Sequence, residues 1–358
     1  MRILFFIPNL SHGGAEKVLI NLVNHMDKTK HDITVMTLFD VGVNKQYLNN
    51  DIKYKYVFRH MPRGNIHMLK VFPPRLLFRY CIKDRYDIIV SYLEGPTARI
   101  VSGCPDNETK LVEWIHVEQQ NRKIACKAFR SYDEALKCYK RFDRTICVSE
   151  AVKRDFHMLF GNIPNTSVLY NTVESDMIRE KANETIKEKS FVDYNGIKVC
   201  MVGKISKRKG VMRMAHIHKR LIENGYDHHV YILGTGPDKG RVEQYIKENH
   251  LEESFLFLGY NTNPYKYIAA SDLLVCASLS EGFSTAVTEA LIVGTAVVTT
   301  QCAGMTELLG ENNEYGIVTN NDENSLEMGI KNVLGDTKLL SSYKEKAALR
   351  GEKFETKN

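Results

Sequence analysis

The sequence predicts an α/β protein built from two doubly wound parallel sheets in tandem. Short apolar and β-branched runs alternate with amphipathic helical stretches along the chain. A strongly charged stretch from Glu174 to Ser190 interrupts that series, after which it starts again. The length, 358 residues, suits two domains. Domains are expected over 1–173 and 192–358, with 174–191 as a linker or surface helix.

In the first domain Arg2–Ile7 reads as a buried strand. It is too short for a signal peptide and is interrupted by Pro8-Asn9. Residues 15–26 carry Val18, Leu19, Leu22 and Val23 at helical spacing. Further strands are expected at 33–38, 88–92, 111–115, 145–148 and 167–169. In the second domain strands are expected at 198–202, 229–233, 255–258, 273–276 and 295–299. Helices are expected at 211–223 and 239–249. Sheets of this kind bind ligands outside the carboxyl ends of their strands, so a shared ligand is expected in a cleft between two facing domains.

Composition excludes several classes. Hydrophobic residues at 43% and charged residues at 26% are ordinary for a soluble domain. No apolar run is long enough to span a bilayer. The eight cysteines form no C-x-x-C pair, so neither a disulfide framework nor a zinc site is expected, and a cytoplasmic location is. The net charge of +6 is concentrated in Arg59–Arg85 and Arg122–Arg144, where cations mix with Leu, Phe and Tyr. That mixture points to peripheral contact with an anionic membrane or a lipid-linked acceptor. No nucleic-acid motif accompanies the charge.

The richest motif is Ser280-Glu281-Gly282-Phe283-Ser284-Thr285-Ala286-Val287-Thr288-Glu289. Gly282-Phe283 reads as a turn, so Glu281 precedes a helix and Glu289 lies inside it. Backbone N–H groups near Ser284 and Thr285 then form a helix N-terminus, an anion site. Carboxylates on either side of a phosphate repel it, unless the ligand carries hydroxyls on both sides. A nucleotide-sugar is such a ligand.

Other strand ends carry compatible pieces. Gly13 and Gly14 open the first helix and are expected to let backbone approach the ligand through positive φ. Gly203, Lys204 and Lys209 place cations around a glycine turn, suited to a diphosphate on which charge grows as the sugar bond breaks. Gly234 and Gly236 form another strand-end turn, Tyr260 closes a run that could line a base pocket, and His116 follows the strand holding the only tryptophan. No D-x-D occurs, so no metal bridge by adjacent carboxylates is expected.

Together these segments resemble the retaining glycosyltransferases of the two-Rossmann-domain (GT-B) type, group 1 or family 4, and in particular bacterial enzymes of surface-polysaccharide synthesis. Gly13–Glu16, His116, Val148–Glu150, Asn171–Val173, Gly203–Gly210, Gly234–Pro237, Glu281–Glu289 and Gly294 recur in family order. The resemblance implies a hexosyl- or N-acetylhexosaminyl-transferase without a cofactor. Its donor would be a nucleoside-diphosphate sugar, a UDP-sugar ahead of a GDP-sugar, and its acceptor a glycan or lipid-linked glycan. It assigns ribose to Glu289, the transferred sugar to Glu281 and His116, and the diphosphate to Lys204, Lys209, Gly14, Ser284 and Thr285. It also implies retention by front-face attack, in which the departing phosphate helps deprotonate the acceptor. Two departures stand out: Lys204 replaces the usual Arg, and little chain follows Phe354 for the family's last, crossing helix. A catalytically weak accessory subunit and a sugar-nucleotide epimerase are the alternative functions.

Overall fold

The computed structural model describes residues 1–354 apart from His12 and Arg63, and the side chains of Asn65 and Ile66 are also left undescribed. The chain divides into two compact units, Met1–Asn171 and Thr172–Asn358. The charged stretch expected as a linker belongs to the second unit. It carries the helices Ser175–Ala182 and Lys189–Val192, whose Ile178 and Phe191 are buried.

The first unit contains β1 (Arg2–Ile7), β2 (Asp32–Phe39), β3 (Lys53–Phe58), β4 (Ile88–Ser91), β5 (Lys110–Ile115), β6 (Arg144–Cys147) and β7 (Thr166–Val168). They form one parallel sheet in the order β3-β2-β1-β4-β5-β6-β7. The second unit contains β8 (Ile197–Val202), β9 (His228–Leu233), β10 (Phe255–Gly259), β11 (Leu273–Cys276), β12 (Ala296–Thr300) and β13 (Ile317–Thr319). Their order, β10-β9-β8-β11-β12-β13, repeats the same winding.

Central strands are apolar on both faces because helices cover both. Leu4, Phe5, Phe6 and Ile7 of β1 are all buried, as are Val199, Cys200 and Met201 of β8. The two strands not expected from sequence are both edge strands. β3 reads Lys-Tyr-Lys-Tyr-Val-Phe and keeps its lysines exposed, which guards an open edge but hides the apolar signal. β13 has only three residues.

In each sheet the winding reverses once, between β1 and β4 and between β8 and β11. Connections leave those neighbouring strands in opposite directions, which opens a crevice at their carboxyl ends.

Candidate functional site

In the second unit the loops after β8, β9 and β10 are stitched together through backbone. Gly203 N donates to Leu233 O (3.0 Å), Ile205 N to Thr235 O (2.9 Å) and Gly234 N to Gly259 O (2.7 Å). Gly234 has φ +153°, and a Cβ there would lie 1.9 Å from Gly203 O, so only glycine fits. Gly210, with φ +70°, presses the Lys207–Lys209 turn onto the loop after β11; its Cβ would meet Ala277 O at 2.0 Å. This contact carries two cations across the switch point.

There they meet Glu281, which is 6% exposed. Lys209 Nζ donates to Glu281 Oε1 (2.5 Å), Ser278 Oγ donates to the same oxygen (2.6 Å), and Arg208 Nη1 lies 3.5 Å from Oε2. Arg208 Nη1 also donates to Ser280 O at 2.8 Å. Burial alone would push the Glu281 carboxyl up, but the charges of Lys209 and Arg208 outweigh it and hold the pKa below its ordinary value. Glu281 is therefore a buried, ionised acceptor. Its loop is fixed from behind, since Thr300 Oγ1 donates to Ser278 O at 2.6 Å.

The helix Thr285–Ile292 follows at once. Ser284 is its N-cap, its Oγ accepting from Val287 N, and Thr288 Oγ1 donates back to Ser284 O. A cavity opens beside this end, lined among others by Gly203, Lys209, Val211, Ser278, Ser284 and Ala286. Of the sequence-predicted residues, the fold thus gathers Gly203, Lys209 and Ser284 around one space, and Glu281 is bonded to two of its lining residues, Lys209 and Ser278. Thr285 begins the helix, and Glu289, 3% exposed, lies one turn further in. Gly234 and Gly236 form the turn after β9; a Cβ on Gly236 would lie 2.1 Å from Ile205 O. Tyr260 follows β10 and is 41% exposed. Lys204 is exposed, and its side chain pairs with no described residue.

Gly13, Gly14 and His116 lie in the first unit. Positive φ is not used at the paired glycines. Gly13 has φ −97° as N-cap of the helix Gly14–His25, and Gly14 is already helical. The space a Cβ would take at Gly13 is filled by the Glu16 carboxylate folding back over the helix start. His116 is buried beyond the end of β5; its backbone N–H donates to Glu94 Oε2 at 2.9 Å. Burial pushes its pKa down to about 3, so the ring is neutral at physiological pH. Its Nε2 has no hydrogen-bond partner among the described residues. Two neighbours share that condition: Tyr92 OH and Trp114 Nε1, whose rings lie 4.6 Å and 5.9 Å from the imidazole.

The sequence alone assigned no role to Arg208, Ser278, Tyr92 or Trp114. Arg208 is recognised only when the β11 loop is brought onto the β8 loop, whereas Ser278 bonds Glu281 within its own loop. Tyr92 and Trp114 become notable only when burial shows their polar atoms unmatched. Among the described residues no group of three His, Cys, Asp or Glu side chains is arranged to hold a metal.

The chain matches known proteins over nearly its whole length. Residues 182–350 match the model for glycosyl transferases group 1, and residues 12–176 match that for glycosyltransferase family 4. The chain is 37% identical over 376 residues to the N-acetylgalactosamine-N,N'-diacetylbacillosaminyl-diphospho-undecaprenol 4-alpha-N-acetylgalactosaminyltransferase of Campylobacter jejuni, spanning 98% of this chain and 94% of that one. It is 25% identical to the UDP-Gal:alpha-D-GlcNAc-diphosphoundecaprenol alpha-1,3-galactosyltransferase of Escherichia coli, over 92% of this chain and 86% of the other. Among solved structures, Anabaena HepE in complex with UDP and glucose superposes with a TM-score of 0.78 at 20% identity, covering 99% of this chain and 96% of that chain, a similarity of fold. The chain belongs to the group 1 glycosyltransferases and has their GT-B fold.

Proposed function

We propose that this glycosyltransferase moves a sugar from a UDP-sugar to a lipid-linked glycan, with retention of anomeric configuration and without a divalent metal. The observation that carries the reading is the ionised Glu281, held by Lys209 and Arg208 beside the capped start of the helix Thr285–Ile292. One carboxylate and two cations at a helix N-terminus suit a ligand that is polyhydroxylated at one end and anionic at the other. Glu281 accepts hydrogen bonds from hydroxyls of the transferred sugar. Lys209 and the N–H groups at Ser284 and Thr285 meet the diphosphate, and the buried Glu289 takes the ribose hydroxyls. The exposed Lys204 contributes charge at longer range.

The diphosphate gains negative charge as the anomeric C–O bond breaks. Fixed cations and a helix dipole stabilise that charge more than they stabilise the ground state. An acceptor hydroxyl attacks from the face the diphosphate leaves, and its proton passes to a departing phosphate oxygen. No enzyme nucleophile is needed. Neutral His116, in the first unit, is able to donate or accept a single hydrogen bond with a sugar hydroxyl.

The donor and acceptor classes draw on the relatives. The Campylobacter protein is named for transfer of N-acetylgalactosamine to a diphospho-undecaprenol-linked glycan, and the Escherichia protein for UDP-Gal. The enzyme accordingly works in surface-glycan synthesis, in the cytoplasm and peripherally at the inner membrane face. No described helix is long and apolar enough to cross a membrane. The test is transfer from radiolabelled UDP-sugars to a polyprenyl-diphosphate glycan in the presence of EDTA, with the product's anomeric configuration read by NMR. An α product from an α-linked donor supports the reading; an inverted product, or activity restored only by metal, contradicts it.

A further inference from the structure

Between Asp51 and Asp84 the chain contains no carboxylate side chain but eight Lys or Arg residues. The fold turns the middle of this stretch into two short helices, Asn65–Val71 and Pro74–Cys81. The second helix buries Leu77, Phe78 and Cys81. It turns Arg75, Leu76, Arg79 and Tyr80 outward, with Leu76 and Tyr80 one turn apart. The apex between the helices is more exposed still. Met68 is 60% exposed, Val71 69% and Phe72 54%, beside Leu76 at 52% and Tyr80 at 60%. Apolar side chains gathered in this way mark an interaction surface.

The exposure of the apex is built in. Four consecutive carbonyls, Leu69 to Phe72, are each held by a guanidinium. Arg99 donates to Leu69 O (2.8 Å) and Phe72 O (2.9 Å), and Arg130 donates to Lys70 O (2.5 Å) and Val71 O (2.6 Å). Arg99 is 1% exposed and is itself held by a two-point bridge to Glu134, through Nε at 3.0 Å and Nη2 at 2.9 Å. Glu134 also accepts from Arg130 N at 2.7 Å. A buried ion pair is costly to desolvate and is best understood where it fixes a geometry. Here the geometry it fixes holds Val71 and Phe72 away from the core.

We infer that the apex and the outer face of the helix Pro74–Cys81 are a docking surface for an anionic lipid bilayer. Val71 and Phe72 enter the boundary between headgroups and acyl chains, while Arg75 and Arg79 meet lipid phosphates. The side chains of Lys70, Arg75 and Arg79 pair with no described residue, so they are available to headgroups. A second copy of the chain is a poor occupant, because its net charge of +6 would set like charge against like. Each cation near an anionic surface multiplies partitioning about fivefold, and apolar insertion adds to it. This inference supplies the surface for the peripheral membrane contact proposed above; its test needs neither donor nor acceptor.

The test is co-sedimentation of the full chain with vesicles of phosphatidylcholine alone or mixed with phosphatidylglycerol. Binding should favour the anionic vesicles at least tenfold and weaken with salt. Val71→Asp with Phe72→Asp should lower it about tenfold or more, as should Arg75→Glu with Arg79→Glu, each leaving the UDP-induced thermal shift unchanged. Phe72→Trp should show a blue shift in emission with anionic vesicles only. Equal binding to both vesicle types, undiminished binding by the Val71/Phe72 variant, or an unshifted Trp emission would overturn the inference. A dimer that the Val71/Phe72 variant disperses would assign the face to a second copy instead. Failure here leaves sugar transfer untouched, whereas absence of transfer with intact vesicle binding would count against the proposed function alone.

Discussion

Two buried glutamates, one in each unit, meet opposite fates. Glu113 on β5 is 0% exposed, and neither of its carboxyl oxygens has a hydrogen-bond partner among the described residues. Its neighbours in register, Ser91 and Thr145, are neutral, and burial drives its pKa well above the ordinary value, which favours the protonated form. Glu281 is nearly as buried, yet Lys209 and Arg208 keep it ionised. The comparison teaches that burial by itself removes a charge. A charge that survives burial has been held by cations brought from elsewhere in the chain. In the second unit those cations come from the β8 loop to the switch point, where a ligand binds in this fold.

The sharpest way to break the contrast is to make Glu281 resemble Glu113. Lys209→Ala removes its principal cation while leaving a nearly buried carboxylate. Removing one partner of such a pair costs about 3 kcal/mol, and transfer should fall by about a hundredfold or more as diphosphate stabilisation goes with it. Urea unfolding and a transfer assay on the same preparation read both effects. Near-normal transfer in a folded Lys209→Ala protein would refute the role assigned to this cation.

The next largest effect is on pH dependence, and its sign differs between the two residues. Glu113 has a raised folded pKa, so the native state keeps a proton that the unfolded chain releases. Its stabilisation is complete below pH 4.5 and is lost as pH rises towards the folded value, by up to about 1.4 kcal/mol per pH unit. Glu281 has a lowered folded pKa. Its contribution is present above pH 4.5 and is lost as pH falls through the folded value. Glu113→Gln should flatten the alkaline limb of the stability profile and Glu281→Gln the acid limb. The acid limb has a second source in the same unit. Buried His218 and His228 share a hydrogen bond of 2.9 Å, and burial pushes their pKa values down to about 3 and about 4. They therefore cost stability as pH falls below 6.5, so the Glu281→Gln effect is read as a difference from the parent protein. Superimposable profiles for parent and Glu113→Gln above pH 5 would contradict the assignment of a neutral buried carboxyl.

The smallest effect expected is at Lys204. Its side chain is exposed and unpaired among the described residues, so Lys204→Arg should change donor affinity only a few-fold, seen in KM rather than kcat. A change of a hundredfold would place this residue in direct contact with the reacting diphosphate.

The same contrast explains what was legible in the sequence. The alternating series of strands and helices was readable because central strands of a parallel sheet are apolar on both faces. The edge strand β3 escaped because its lysines face solvent, and β13 because it is too short to show a pattern. Ser284 as a helix cap and Glu281 ahead of it were readable, since capping and turn chemistry are local. The Arg208–Glu281 contact was not, because it joins residues far apart in the chain through the close approach at Gly210. Positive φ was wrongly expected at Gly13-Gly14. Small size there serves the folded-back Glu16 side chain, and composition does not separate that use of glycine from a left-handed turn.

The central claim is that Glu281 and its cations form a sugar-nucleotide site. The most direct measurement is a thermal-shift comparison of the parent, Lys209→Ala and Glu113→Gln proteins with UDP and UDP-sugars, with and without EDTA. Ligands that bind only the folded state raise its melting temperature. The account predicts a rise for the parent and for Glu113→Gln that EDTA does not change, and no rise for Lys209→Ala. A parent protein insensitive to every nucleotide, or a Lys209→Ala protein that responds as fully as the parent, would contradict it.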